Sequence, residues 1–266
     1  MDKIAEYKKI AQDTRKTVLR LIYEAQTSHV GSNFSCVDLL TVLYGIADID
    51  KDFREDRDRV VVSKGWAAAT VYTLLAEKGV IPKADLENYC KNDSKYIGLM
   101  EPCVKGVEAA GGSMGYGLPF SVGFSLAKKL KKEKGKAFVL MGDGEMQIGT
   151  TWESALIAAH HKLDNLVAIV DMNELQAMGK VKDILNVEPL KEKWESFGWE
   201  VRKIDGHNFG EIEKALLELP KKKSPIVILA KTIKGKGVSF MEGENIYHYK
   251  APSDEEYQKA LKELNG

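Results

Sequence analysis

The sequence has few cysteines and no long apolar segment. Its three cysteines, Cys36, Cys90 and Cys103, are an odd set without C-x-x-C spacing, which argues against a zinc site and against a disulfide framework. No stretch approaches the roughly 20 apolar residues of a membrane span, and the charged N-terminus lacks the apolar core of an export signal. We therefore expect a cytoplasmic protein without a membrane anchor.

The chain also lacks net charge, internal repeats and low-complexity linkers. Lysine and arginine total 39, and so do aspartate and glutamate, so no net field favours nucleic acid or an anionic membrane. With 266 residues, 44% of them hydrophobic, the chain can bury one complete core. We predict a single domain over residues 1–266, with neither nucleic acid nor a membrane as a partner.

What the sequence does contain is an alternation of apolar runs and helical patterns. The apolar runs predict buried strands at residues 59–63, 136–141, 165–170 and 225–230. The helical patterns cover residues 4–25, 35–44, 66–78, 118–130, 151–161, 211–219 and 254–264. Such alternation predicts an α/β fold with an open, mostly parallel sheet and helices on both of its faces.

Two segments between these elements are polar or rich in glycine. A polar turn covers residues 26–33, and Ser35 and Asp38 then have the spacing of a capping box, so we place the start of the second helix near Ser35. This leaves His29 on a loop. Residues 106–117 are rich in glycine, and we expect them to form a ligand-binding loop ahead of a helix.

Polar residues follow two of the predicted strands. Gly-Asp-Gly-Glu occupies residues 142–145, and Asp-Met-Asn occupies residues 171–173, which places Asn173 30 residues after Asp143. In a right-handed βαβ unit the carboxyl ends of the two strands meet at one edge of the sheet. Asp143 and Asn173 would offer hard oxygen ligands there, suited to Mg²⁺ or Ca²⁺ beside a diphosphate, and the glycines would allow backbone amides to approach the phosphates.

A plainer interpretation of these two strand ends stays open. Gly-Asp-Gly can be an ordinary turn, and Asn173 can simply cap the next element. A plain turn, however, does not require a second oxygen ligand one strand away.

With these motifs, the sequence resembles the thiamine diphosphate enzymes, whose signature is Gly-Asp-Gly followed at this distance by asparagine. It is most similar to the N-terminal, pyrophosphate-binding part of transketolase, and the similarity runs over nearly the whole chain. The other matching motifs are Ser28-His29-Val-Gly31, Asp58-Arg59, Ser63-Lys64-Gly65, Gly106-Val-Glu108, Gly112-Ser-Met-Gly-Tyr-Gly117, Leu175-Gln176, Asp205-Gly-His207, Lys231-Thr-Ile-Lys-Gly-Lys-Gly237 and His248-Tyr-Lys-Ala-Pro252.

The resemblance implies a role for each matched position. Asp143 and Asn173 would bind the metal through their side chains, and Leu175 through its backbone carbonyl. His248 would lie near the diphosphate and the reacting carbon, and His29 would reach substrate hydroxyls, which makes these two the candidate catalytic residues. The implied contacts to thiamine diphosphate come from Gly112, Ser113, Met114, Gly142, Asp143, Gly144, Glu145, Asn173 and His248.

The resemblance also implies a partner. In this family, the glutamate that activates the cofactor lies on a second, pyrimidine-binding domain, which normally follows in the same chain, whereas this sequence ends at Gly266. We therefore expect a split enzyme with a separate C-terminal transketolase-like subunit, in an α2β2 assembly whose active sites lie between the two kinds of subunit.

The sequence departs from the family pattern mainly where the family contacts substrate. Trp66 replaces a family histidine, Leu99 lies where a second one is expected, and Tyr116 replaces a glutamine. The other departures are Met178 in place of an aspartate and Ile148 in place of a glutamate that links paired active sites, while Glu153, the next acidic position of that link, remains. We expect Trp66 and Tyr116 to line the substrate channel. Cofactor binding would then be retained, with a sugar substrate that is not the standard one.

Three functions remain open from the sequence. The first is transfer of a two-carbon ketol unit from a ketose to an aldehyde, dependent on thiamine diphosphate and Mg²⁺. The second is decarboxylation or carboligation of a 2-oxo acid, which requires fewer polar groups. The third is a regulatory subunit that binds the cofactor without catalysis.

Overall fold

The computed structural model describes residues 2–49 and 52–266. Its strands are β1 (Arg59–Val62), β2 (Ala137–Gly142), β3 (Leu166–Met172), β4 (Glu200–Asp205) and β5 (Ile226–Lys231). Its helices are α1 (Lys3–Ala25), α2 (Val30–Ile46), α3 (Ala68–Glu77), α4 (Gly117–Lys131), α5 (Gly149–His160), α6 (Val181–Ile184), α7 (Leu190–Ser196), α8 (Phe209–Leu217) and α9 (Asp254–Asn265). The charged loop ahead of β1 contains Asp50 and Lys51, which lie outside the described residues.

The strands form one parallel sheet in the order β1-β2-β3-β5-β4, so the predicted fold class is confirmed. Gly142 on β2 is paired with Asp171 on β3, and Asp171 is paired in turn with Ala230 on β5. The two strand ends that carry the polar motifs therefore lie side by side, as the βαβ spacing predicts.

Helices cover both faces of the sheet. On one face α1, α2, α3, α8 and α9 pack on residues such as Phe138 and Ile169. On the other face α4, α5 and α7 pack on the alternate residues of the same strands, such as Val139 and Val170. Burial on both faces explains why the central strands are continuous apolar runs. In the described part of the chain, no helix is long and apolar enough to cross a membrane.

The predicted start of the second helix is wrong, because α2 begins at Val30 rather than near Ser35. Ser35 does not cap a helix. Its hydroxyl donates to the Asp171 carboxylate at 2.6 Å, and Asp38 binds Arg15 instead of a helix amide. Ser35 and Asp38 have the spacing of a capping box, but both side chains make tertiary contacts. A local sequence pattern cannot predict such contacts.

Three elements were not predicted from the sequence: β4, α7 and the four-residue α6. β4 lies at the edge of the sheet, four of its six residues are charged and none of them is fully buried, so it lacks the apolar run of the central strands. α7 is 7 residues long, too short for a clear helical period, yet it buries Trp194 completely.

A buried ion pair joins α1 to α2. The Arg15 guanidinium donates to both oxygens of Asp38 at 2.8 Å, and its Nε donates to the carbonyl of Lys236 at 2.9 Å. His207 Nδ1 also lies 2.8 Å from Asp38, and its Nε2 accepts the amide of Ile233 at 2.9 Å. Burial alone would raise the pKa of Asp38, but Arg15 and His207 lower it. The contacts of His207 are therefore structural.

We predict that Arg15→Met lowers the free energy of unfolding by about 3 to 5 kcal/mol, because it leaves the Asp38 charge buried without its main partner. Urea denaturation measures the loss. The matched control is Arg20→Met on the same helix, which breaks a partly exposed pair with Glu87 and is expected to lose no more than about 1 kcal/mol. Equal losses in the two variants would contradict this account.

Candidate functional site

A cavity of about 580 Å³ lies at the edge of the sheet where the parallel strands end. The candidate site residues from the sequence analysis that line it are His29, Trp66, Gly112, Met114, Gly142, Asp143, Gly144, Glu145, Asn173, Leu175 and His248. Ser113 and Tyr116 lie on the same glycine-rich loop but are exposed and are not part of the cavity wall. A second cavity of about 470 Å³ is also lined by Asp143, Asn173 and Leu175, so these three residues lie between the two cavities.

Asp143 is held in place by backbone amides. It is 5% exposed and directly follows β2. One carboxylate oxygen accepts the amide of Gly144 at 2.9 Å, and the other accepts the amide of Glu174 at 2.6 Å. Burial, together with the nearby Asp171, raises the pKa of Asp143 to about 7. A cation beside this carboxylate would stabilise its ionised form, so the setting fits a metal ligand.

Asn173 supplies the second side-chain oxygen, at the end of β3. Its Oδ1 accepts the amide of Leu175 at 3.0 Å, and its Nδ2 donates to Asp171 at 3.3 Å. Across residues 2–49 and 52–266, no cluster of three His, Cys, Asp or Glu side chains could hold a metal. The predicted metal ligands are of another kind: one carboxylate, one side-chain amide oxygen and one backbone carbonyl. These oxygens suit Mg²⁺ or Ca²⁺ when diphosphate oxygens and water complete the coordination shell.

Asp171 is fully buried at the end of β3 and binds Lys64, which lines the cavity. Its carboxylate pairs with Lys64 and accepts the hydroxyls of Ser35 and Thr232. Burial would raise its pKa, but Lys64 and these hydroxyls lower it, so Asp171 is ionised. Lys64 also donates to the carbonyl of Ser32 at 3.0 Å. The ion pair thereby joins α2, β3 and the segment after β1.

Glu145 connects three segments around the cavity. One oxygen of its buried carboxylate accepts the hydroxyl of Ser63, after β1, and the amide of Gly115, on the glycine-rich loop, the latter at 3.0 Å. The other oxygen accepts the amide of Gly142 at 3.0 Å. Burial raises the pKa of Glu145, which these hydrogen bonds oppose. The side chain therefore positions the loop that carries Gly112 and Met114.

The glycine-rich loop passes so close to Gly65 that neither side can carry a side chain. A Cβ on Gly65 would lie 2.2 Å from the amide nitrogen of Gly112. Gly112 itself has a φ of +102°, and a Cβ there would lie 2.4 Å from Leu99. Leu99, one of the departures from the family pattern, thus packs directly beneath the loop.

Two histidines lie edge to face in the wall of the cavity. The backbone amide of His29 donates to the carbonyl of His248 at 3.0 Å, and their ring centroids are 4.9 Å apart. His29 has a φ of +78°, an uncommon conformation for a residue with a side chain. Burial and the charge of Lys234 lower the pKa of His29 to about 4 and that of His248 to about 3, so both rings are neutral at pH 7.

Trp66 stacks on His29 with a centroid distance of 4.2 Å and an interplanar angle of 11°. Asn33 fixes both residues, since its side-chain amide donates to the carbonyl of His29 at 3.0 Å and to that of Trp66 at 2.9 Å. The Asn33 oxygen in turn accepts the amide and the hydroxyl of Thr70, both at 3.0 Å. Although we expected His29 on an open loop, it is 6% exposed and held at the start of α2.

Sequence reasoning missed several residues that build the site. Lys64 and Lys234 lie within motifs that the resemblance identifies, but the sequence alone assigned them no role. Asn33 carried no signal, because a single asparagine near a predicted turn has many explanations. The two histidines at the end of α5, His160 and His161, take no part in the cavity.

Comparisons with known proteins show the family of the chain. The family model described as "Transketolase, thiamine diphosphate binding domain" matches residues 6–266. The chain is 41% identical to one subunit of the apulose-4-phosphate transketolase of Actinobacillus succinogenes, over 97% of this chain and 95% of that protein. It is 35% identical to one subunit of the 6-deoxy-6-sulfo-D-fructose transketolase of a Clostridium species, over 94% of this chain and 93% of that protein.

A solved structure gives the same result. The transketolase of Campylobacter jejuni superposes with a TM-score of 0.90 at 32% sequence identity, over 97% of this chain. The match covers only 43% of that transketolase, so this chain corresponds to less than half of it.

We predict that Glu145→Met lowers the free energy of unfolding by about 1.5 to 3 kcal/mol, because the buried donors of Ser63, Gly115 and Gly142 lose their charged acceptor. Hydrogen exchange at the amide of Gly115 should accelerate, since its acceptor is removed. Glu153→Met, at an exposed position on α5, is the matched control and should change the free energy by no more than about 0.5 kcal/mol. An unchanged exchange rate at Gly115 in Glu145→Met would refute the role of Glu145 in holding the loop.

Proposed function

The chain belongs to the transketolase family as a thiamine diphosphate-binding domain, and from this we propose that it is the diphosphate-binding subunit of a split transketolase. The complex would transfer a two-carbon ketol unit from a ketose to an aldehyde, with Mg²⁺ or Ca²⁺ as the metal. Residues 1–266 would form its single pyrophosphate-binding domain. The observation that carries the proposal is the arrangement of Asp143, Asn173 and Leu175 at adjacent strand ends, beside glycines that leave room for phosphates.

In this proposal, Asp143, Asn173 and the carbonyl of Leu175 hold the metal, which would neutralise the diphosphate and the buried Asp143 together. The backbone near Gly142 and Gly144 would approach the phosphates, and the loop of Gly112, Ser113 and Met114 would lie against the rings. The cofactor, when bound, supplies the stabilisation of negative charge on the transferred unit. His29 and His248, neutral and buried, would orient the substrate oxygens.

We propose that the substrate is a ketose phosphate or a related anionic sugar outside the standard set. Trp66, which stacks on His29, presents an apolar surface where the family has an imidazole. Leu99 likewise lies where a second family histidine is expected, so a polar group is missing there too. A substrate hydroxyl buried there without a partner costs about 1 to 3 kcal/mol. The relatives named for apulose 4-phosphate and for a sulfo-sugar support an unusual donor.

The partner would be a C-terminal transketolase-like subunit with the pyrimidine-binding domain, two copies of each forming α2β2. Two relatives of nearly equal length are each named as a single subunit of a transketolase, which implies a second subunit for them. Full-length transketolases contain more than half of their chain beyond the region matched here. In this proposal, the partner subunit supplies that region.

We predict that the chain, mixed with its partner, thiamine diphosphate and Mg²⁺, transfers a ketol unit and that Asp143→Ala abolishes the transfer. Asp183→Ala, which removes an exposed carboxylate on α6, is the matched control and should keep full activity. A coupled assay should show turnover with ketose and aldehyde and none with 2-oxo acids. Release of carbon dioxide from a 2-oxo acid would favour the decarboxylase, and activity that survives in Asp143→Ala would reject the metal assignment.

We predict that Trp66→His broadens the substrate range. An imidazole at this position offers a partner to a donor hydroxyl, so kcat/KM for xylulose 5-phosphate should rise by about 10-fold, the effect of one hydrogen bond. Phe120→His places the same side chain on an exposed position of α4 and should leave kcat/KM unchanged. An unchanged kcat/KM in Trp66→His would show that this position does not select the donor.

A further inference from the structure

The turn between β4 and α8 holds the segment after β5 on both sides of one residue, Thr232. The amide of Gly206 donates to the carbonyl of Lys231 at 2.7 Å, and the amide of Ile233 donates to Nε2 of His207 at 2.9 Å. A Cβ on Gly206 would lie 2.4 Å from Cγ2 of Thr232, so the turn already packs directly against this side chain. The turn therefore fixes the backbone on either side of Thr232.

Thr232 is one of the donors that compensate the buried charge of Asp171. Its hydroxyl donates to one oxygen of that carboxylate, and its amide donates to the carbonyl of Met172 at 3.2 Å. The other oxygen of Asp171 pairs with Lys64, which lines the 580 Å³ cavity. Asp171 lies two residues before Asn173, so the position of Thr232 affects the strand end at which we propose the metal to bind.

The ring of His207 makes the contact with Ile233 only while it is neutral. Nε2 accepts an amide and so carries no proton, which places the single proton of the neutral ring on Nδ1, 2.8 Å from Asp38. A second proton would bind at Nε2, where it would meet the N–H of Ile233. Protonation therefore removes the contact with Ile233 and leaves the contact with Asp38.

Charged groups of both signs surround this imidazole. They are Arg15 on α1, Asp38 on α2, Asp205 at the end of β4, and Lys231, Lys236 and Glu242 on the segment after β5. Arg15 donates to both oxygens of Asp38, so this carboxylate is shared between two partners. In the described part of the chain, no charged side chain hydrogen-bonds to Nε2 of His207. The amide of Ile233 is thus the group that a second proton would displace.

We infer that His207 is a positioning residue: its neutral ring holds Thr232 against Asp171, and protonation of the ring releases this segment and weakens cofactor binding at the neighbouring strand end. The inference rests on the proposed binding of thiamine diphosphate with a metal at that strand end. His207→Gln provides a replacement that does not titrate, because its amide can accept from Ile233 and donate to Asp38 at every pH. His207→Leu can make neither contact.

The first test uses the full chain without cofactor. In NMR of ¹⁵N-histidine-labelled protein, we expect the proton of neutral His207 on Nδ1, with its signals identified by their absence in His207→Gln. Hydrogen exchange at the amide of Ile233 should accelerate by about 10-fold in His207→Leu, the effect of one hydrogen bond, and stay near the wild-type rate in His207→Gln. His161→Leu removes an exposed imidazole at the end of α5 and should leave the exchange unchanged. A proton on Nε2, or equal exchange in the wild type and His207→Leu, would overturn the inference.

The second test compares the wild-type chain with His207→Gln by isothermal titration with thiamine diphosphate in Mg²⁺. The titrations run from about pH 8 to about pH 5, the range in which histidine changes its charge. The contact is lost as the pH falls and the ring takes up its second proton, so the Kd of the wild type should rise by about 3- to 10-fold more than that of His207→Gln. Other titrating groups, Asp143 included, are common to both proteins and cancel in this comparison. The same pH dependence in both proteins would refute the role of His207.

A failure of the proposed function gives a different result. If the chain bound no thiamine diphosphate at about pH 8, the proposed cofactor site would be rejected. The NMR and exchange measurements on the chain would still decide whether neutral His207 holds the segment around Thr232.

Discussion

Three carboxylates are buried at the edge of the sheet where the strands end, and the cavity depends on how each is compensated. Asp171 pairs with Lys64 and two hydroxyls, and Glu145 accepts two amides and a hydroxyl. Among the described residues, Asp143 receives two backbone amides and no cation, and burial together with the nearby Asp171 raises its pKa to about 7. Positive charge is therefore lacking at Asp143, which is where a divalent cation would lie.

The other features of the cavity follow from these compensations. Ser35 on α2 and Lys64 after β1 both bind Asp171, which holds the first turns of α2 against β3. His29, at the start of α2, is buried there. Because Glu145 binds the glycine-rich loop, that loop lies against Gly65. The same carboxylates that hold the fold at this edge thus position the groups that would contact a cofactor and its substrate.

The sequence allowed the fold class and the strand-end pair to be predicted, because a βαβ unit places the ends of Ala137–Gly142 and Leu166–Met172 side by side whatever the side chains do. The start of α2 could not be predicted, because Ser35 and Asp38 have the spacing of a helix cap but bind residues far away in the sequence. The hydrogen bond from the amide of Ile233 to His207 likewise depends on tertiary packing, which no local pattern encodes.

The central claim is that this edge of the sheet binds a metal together with a diphosphate. Isothermal titration of the wild-type chain with thiamine diphosphate, first in Mg²⁺ and then in excess EDTA, tests it most directly. The account predicts saturable binding in Mg²⁺ that is lost in EDTA, because Asp143 and the diphosphate repel each other without the cation. Equal affinity in EDTA, or no binding in Mg²⁺, would contradict it.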